Sequence, residues 1–182
     1  ANHDLERLKQ VWRQLEQPII LTDRPAHNVR SDLAHQIAIN AEQIVAIDTL
    51  RDHAPDLRHY PVRPDDVAFF SLTSGSTGTP KCIPLTHRTI LTRVRAANHY
   101  CSHTRATVTL NWLPLEHIGP LSDMHLRAVA LGSKQIHVPR AYVAGNLLNW
   151  LTLLDRYRAT YSASPNFGYG LTNNALEKTD GA

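Results

Sequence analysis

Cysteine is scarce in this chain: Cys82 and Cys101 are the only two among 182 residues. They allow one bridge at most, which argues against a disulfide framework and fits a reducing compartment such as the cytoplasm. Long apolar runs are missing as well. None approaches the ~18 residues that a transmembrane helix needs, so no membrane partner is expected. The opening residues, Ala1-Asn2-His3-Asp4-Leu5-Glu6-Arg7, are too charged for a signal peptide. With no initiating Met, they read as the start of an excised segment. A strong excess of one charge is also lacking, since 19 basic residues face 16 acidic ones and leave a net +3. The basic cluster Arg88, Arg93 and Arg95 has no repeat elsewhere, so no nucleic-acid partner is expected. No CxxC or HExxH occurs. His99, Cys101 and His103 come at i, i+2, i+4, a spacing that puts the Cys on a different helix face from the two His. No metal site is expected, and the eleven histidines read as surface residues.

Apolar residues make up 42% of the chain, enough for an ordinary core. Leu5, Leu8, Val11, Trp12 and Leu15 have helical spacing, and Pro18 ends that pattern. Ile19-Ile20-Leu21-Thr22 reads as a short buried strand, residues 32–37 as a brief helix, and Ile44-Val45-Ala46-Ile47 as another strand. Residues 51–66 carry Pro55, Pro61 and Pro64 among many charges and read as a connecting loop. Val67-Ala68-Phe69-Phe70-Ser71-Leu72 is a strong, buried strand, and Cys82-Ile83-Pro84-Leu85 a short one. A helix is predicted over 87–100 with Ile90, Leu91, Val94 and Ala97 inward. Then follow a strand over 108–112, a helix over 121–131, a strand over 135–138, a helix over 147–157 and a strand over 159–162. Strands alternating with helices of this length predict an α/β fold of parallel βαβ units. Ligands of such folds gather at loops that follow strand ends.

One such loop stands out. Leu72 is followed by Thr73, Ser74, Gly75, Ser76, Thr77, Gly78, Thr79, Pro80 and Lys81. Glycines let backbone N–H groups approach an anion, hydroxyls add donors, and a lysine adds charge suited to phosphate oxygens. A Walker A loop does not fit. Gly75 and Lys81 have the right separation, but Pro80 stands where the second glycine belongs and Cys82 where the magnesium-binding hydroxyl belongs.

The run from Thr73 to Lys81 instead resembles the phosphate-binding signature of the adenylate-forming superfamily. That superfamily contains acyl-CoA synthetases, luciferases and the adenylation domains of nonribosomal peptide synthetases. Pro84-Leu85-Thr86-His87 continues the match, and Cys82 departs from it, where the family usually has glycine. Trp112-Leu113-Pro114-Leu115-Glu116-His117-Ile118-Gly119 is similar to a second family motif. The resemblance assigns His117 the lining or gating of the carboxylate's entry and places Gly119 beside it; by itself, His117 reads as a capping or packing residue. The stretch through Ala163-Ser164-Pro165-Asn166-Phe167 is similar to the acyl-pocket region of adenylation domains in hybrid peptide–polyketide synthetases. Ser164, Pro165 and Asn166 then face substrate; a helix-start turn with a core aromatic, Phe167, is the alternative.

The resemblance implies a partial N-terminal subdomain of the adenylate-forming fold. Residues 1–65 form its leading α/β segment and linker, and residues 66–182 carry the phosphate loop and acyl pocket. It implies an enzyme that joins a carboxylic acid to ATP, releases pyrophosphate, and passes the acyl group to a thiol. The acceptor is the phosphopantetheine of a carrier protein domain or coenzyme A. Lys81 and His117 are the implied catalytic residues, and Thr73, Ser74, Gly75, Ser76, Thr77, Gly78, Thr79 and Lys81 the ATP cradle. Mg2+ is expected to be held outside this segment, by the remainder of the adenylation domain. Gly168-Tyr169-Gly170-Leu171-Thr172-Asn173 echoes the family's Tyr-Gly-x-Thr-Glu motif, but Asn173 cannot replace a carboxylate, and the run reads as helix. Two alternatives stand beside a carrier-loading domain: a piece of a free-standing acyl- or aryl-CoA ligase, and a non-catalytic α/β interaction module.

Overall fold

The computed structural model describes residues 2–23, 34–36, 39–73 and 80–180. They fall into two compact units, Ala1–Thr86 and His87–Ala182.

The first unit opens with helix α1 (Asn2–Gln14), which buries Trp12. The indole Nε1 of Trp12 donates to the Pro18 carbonyl at 2.9 Å, and Glu16 and Gln17 take left-handed φ values of 58° and 62° ahead of the proline. β1 (Ile20–Thr22) pairs in parallel with β2 (Ile44–Ala46), Ile20 opposite Ile44. Only β2 is buried. Ile19 and Leu21 are 65% and 60% exposed, so the first strand is not the buried one that its run of apolar residues predicts. Of the helix expected over 32–37, residues 34–36 are helical and the others lie outside the described residues. Residues 54–63 form no helix or strand, as their prolines require.

β3 (Val67–Thr73) and β4 (Lys81–Thr86) make an antiparallel hairpin. Two expectations are corrected here. The pair is not part of a parallel βαβ unit. Nor is β3 buried: Val67, Phe70 and Leu72 keep nearly half their surface, because a two-stranded ladder offers an apolar strand only one neighbour.

The second unit is a parallel α/β layer. Helix α2 (His87–Tyr100) buries Val94 and Asn98, while Leu91 points outward, contrary to its predicted place. Asn98 turns inward because Arg127, itself only 5% exposed, donates from Nε to its side-chain oxygen at 3.0 Å. Arg127 Nη1 also donates to the Tyr161 hydroxyl at 3.2 Å, and its guanidinium lies 4.7 Å over that ring. A helix period counted from apolar residues alone misses such a polar seam. β5 (Val108–Asn111) and β6 (Lys134–His137) run parallel, Val108 opposite Lys134 and Asn111 opposite His137. The strand expected over 159–162 shrinks to a single parallel bridge, Thr109 to Tyr161.

The helix expected over 121–131 is two pieces. A π-helical turn (Pro120–Leu126) runs into α3 (Arg127–Leu131), which Gly132 stops at φ 62°, where a side chain would be strained. α4 (Arg140–Gly145) was not expected; α5 (Leu148–Tyr157) and α6 (Asn166–Asp180) were, and α6 absorbs residues 168–173. Leu110, Trp112, Val143, Trp150 and Leu153 form the core between sheet and helices. Full burial of such a side chain contributes roughly 1.5–3 kcal/mol, which makes this cluster the main support of the cavity beside it. No described helix is long and apolar enough to cross a membrane.

Candidate acyl pocket and phosphate loop

In the first unit, the hairpin holds both ends of the candidate phosphate loop. Thr73 and Lys81 are cross-strand partners, so the intervening residues must reverse direction within a closed turn. Pro80 is fully buried, and its carbonyl accepts a 2.9 Å hydrogen bond from Gln14 Nε2 on α1. Lys81 is exposed and has no ion-pair partner among the described residues. An anchored proline beside an unpaired cation fits an anion seated at the loop. Residues 74–79, which include Ser74, Gly75, Ser76, Thr77, Gly78 and Thr79, lie outside the described residues. Cys82, where glycine was expected, sits in mid-strand opposite Leu72; partial burial pushes its thiol above the usual value.

In the second unit, a cavity of about 440 Å³ opens where three parallel segments end. After β5 come Trp112, Leu113, Pro114, His117 and Pro120. After β6 come Arg140, Ala144 and Leu147. After the Tyr161 bridge come Pro165, Phe167 and Leu171. This convergence at the carboxyl ends of strands is the ligand position of open parallel sheets.

The segment bearing His117 is held from below. Asn111, 2% exposed, accepts at Oδ1 from the Leu113 N–H (3.1 Å) and donates from Nδ2 to the Leu113 carbonyl (2.9 Å). That two-way clamp fixes the turn that leaves β5. His117 is tied through its backbone, and its carbonyl accepts from Leu121 N at 3.1 Å as the π-helical turn begins. π-turns often sit at functional sites, and this one carries Pro120 into the cavity wall.

Below the cavity lies a histidine pair. His125 Nδ1 and His137 Nε2 both donate to Gln135 Oε1 at 2.9 Å, and Asn111 Nδ2 stands 3.4 Å from His137 Nδ1. Partial desolvation, then the neighbouring His125, hold His137 below its ordinary 6.5.

The cavity therefore brings together His117 and Pro165 from the predicted set. Gly119, Ser164 and Asn166 are not among its lining residues. A Cβ on Gly119 would meet nothing within 4 Å, so packing does not demand glycine there. Ser164 donates to the Pro165 carbonyl at 3.2 Å, and Pro165 leads into the start of α6. Phe167 is 67% exposed yet lines the cavity, so it is not the core aromatic of the alternative reading. Arg140, Ala144, Leu147 and Leu171 went unseen in the sequence; the Pro139-Arg140 pair directly after a strand was the available signal. Among the described residues, no three His, Cys, Asp or Glu side chains group closely enough to hold a metal ion.

A family model of AMP-binding enzymes matches residues 1–180. The chain belongs to that family. Microperfuranone synthase of Emericella nidulans is 31% identical over 166 residues, which are 85% of this chain and 16% of that protein. The structure of McyG A-PCP complexed with phenylalanyl-adenylate superposes with a TM-score of 0.87 at 34% identity, over 97% of this chain and 28% of that one. The adenylation domain of a keto acid-selecting NRPS module bound to keto acyl adenylate gives 0.86 at 32% identity, over 98% of this chain and 32% of that one. The present chain thus spans about a sixth of its curated relative and about a third of the solved domains. Its α/β fold is that of the N-terminal part of the adenylate-forming fold.

Proposed function

We propose that this chain forms part of an ATP-dependent carboxylate-activating site. In the complete enzyme, the acid's carboxylate oxygen attacks the α-phosphorus of ATP, giving acyl-AMP and pyrophosphate. The acyl group then moves to the phosphopantetheine thiol of a carrier protein domain, a choice supported by the A-PCP and NRPS-module relatives. The observation that carries this reading is the cavity at the ends of three parallel strands, in a chain that also bears the family's phosphate-loop run.

Each part answers a physical demand. Thr73, the hydroxyls and glycines of residues 74–79, and Lys81 hold the ATP phosphates. Lys81 offsets charge on the departing pyrophosphate, and Mg2+ bound by other parts of the enzyme adds positive charge there. The apolar cavity seats the acyl chain, with His117 and Gly119 on the segment that meets its carboxylate and residues 164–166 on the facing one. Holding the carboxylate in line with the phosphorus is mainly a matter of position. The printed ligands of the relatives leave two acid classes open, amino acids and keto acids. Both cysteines are free thiols, which supports a reducing compartment, the cytoplasm.

The test is ATP–pyrophosphate exchange by the complete enzyme against a panel of carboxylic acids. Acid-dependent exchange is the expected result; none with any acid, despite retained ATP binding, overturns the proposal.

A further inference from the structure

The side chains around the cavity carry donors and no acceptor of charge. Of its eleven lining residues none is acidic, and only His117 and Arg140 bear ionisable groups. Arg140, at the start of α4, makes no hydrogen bond or ion pair with any described residue. Trp112 is 5% exposed, and its indole Nε1 is buried without a partner. Buried N–H groups are nearly always paired, so an orphan in a cavity wall marks a place where a ligand's acceptor is wanted. An ammonium group there would be desolvated with no carboxylate to meet it, and beside a guanidinium.

We infer that the cavity selects an apolar acid carrying a neutral oxygen acceptor, a 2-oxo acid, over the amino acid with the same side chain. The inference rests on the acyl-pocket reading and assigns Arg140 and Trp112 as specificity-determining residues. A carbonyl oxygen satisfies either donor, whereas an amino acid leaves both unmet and adds an unpaired cation. The apolar remainder of the wall, with Leu113, Leu147, Phe167 and Leu171, suits an aryl or branched alkyl side chain.

The experiment is pyrophosphate exchange by the complete enzyme with matched sets of acids: 2-oxo acid, amino acid and unsubstituted acid on one side chain. The 2-oxo acid is expected to lead both others in kcat/KM by roughly tenfold or more, since sites built to hydrogen-bond a substrate group reject analogues lacking it. Arg140→Met and Trp112→Phe should each bring the preference over the unsubstituted acid down to about threefold or less, leaving the KM for ATP unchanged. Arg140→Glu should raise use of the amino acid relative to the 2-oxo acid. Equal or better use of the amino acid by the wild type overturns the inference, as does an unchanged preference in Arg140→Met. That variant alters an exposed side chain and decides the matter even where Trp112→Phe fails to fold. Exchange with the wrong preference defeats this inference alone, whereas exchange with no acid defeats the adenylation reading beneath it.

Discussion

Lys81 and His117 stand in different units and answer to different substrates, so single substitutions separate them. Lys81 is an exposed, unpaired cation at the end of the loop, contributing little to the packing of the hairpin. Lys81→Ala should therefore leave the fold intact and slow pyrophosphate exchange in the complete enzyme by about two orders of magnitude, or ~3 kcal/mol of transition-state stabilisation. Exchange within twofold of wild type would remove Lys81 from the phosphate site. His117 has a backbone fixed by the π-helical turn and a side chain on the cavity. His117→Ala should change the KM or selectivity for the acid several-fold while the KM for ATP stays put. A lowered melting temperature with unaltered selectivity would make it a packing residue. Both residues were legible in the sequence because they belong to contiguous motifs. Arg140 and Leu147 were not, because their place in the cavity follows from strand order, which a local pattern does not encode.

Within elements, α6 starts where two side chains compete for one space. A Cβ on Gly168 would collide with the Ser164 hydroxyl, while Ser164 is held by its bond to the Pro165 carbonyl. Alanine is favoured over glycine inside a helix by ~0.8–1.0 kcal/mol. In the wild-type background that gain is offset by the displaced hydroxyl and its lost hydrogen bond, about 1 kcal/mol or more. Gly168→Ala alone should thus be neutral to destabilising, whereas in a Ser164→Ala background it should stabilise by nearly the full propensity. Chemical denaturation of the four variants measures the coupling, and simple additivity would refute the collision. On the neighbouring strand pair, His137 has a depressed pKa, so the folded state favours its neutral form. Its stabilising contribution is full above about 6.5 and is lost as pH falls below that value, because the unfolded chain then binds the proton more readily. Protonation at Nδ1 would also set two donors face to face, His137 and Asn111 Nδ2. Melting temperatures between pH 8 and 5 should fall less for His137→Gln than for wild type; identical slopes would exclude this residue.

For the whole molecule, the alternation of strand and helix was readable in residues 87–180, since parallel units bury continuous apolar runs such as Val108-Thr109-Leu110. Residues 67–86 misled. Val67 to Leu72 reads as a buried central strand, yet the structure gives it one antiparallel partner and leaves Phe70 and Leu72 exposed. An apolar run records that a strand will be covered, not which segment covers it. The same exposure bears on the isolated 182-residue chain. The second unit holds its own five-residue core, so β5, β6 and the helices packed on them should fold and protect their amides from exchange. The first unit buries Trp12, Ala34, Ile44 and Ala46 but exposes Ile19, Leu21, Val67, Phe70, Leu72 and Ile83, and should exchange faster. Apolar surface of that extent favours self-association, visible as a concentration-dependent sedimentation coefficient. Catalysis should be absent. A misplacement of ~1 Å between reacting groups can cost about a hundredfold, and this chain spans about a third of the solved adenylation domains. Pyrophosphate exchange by the purified chain, with the acid that the complete enzyme prefers, is therefore expected at background. Turnover near that of the complete enzyme would mean that these two units already contain every group the adenylation step requires.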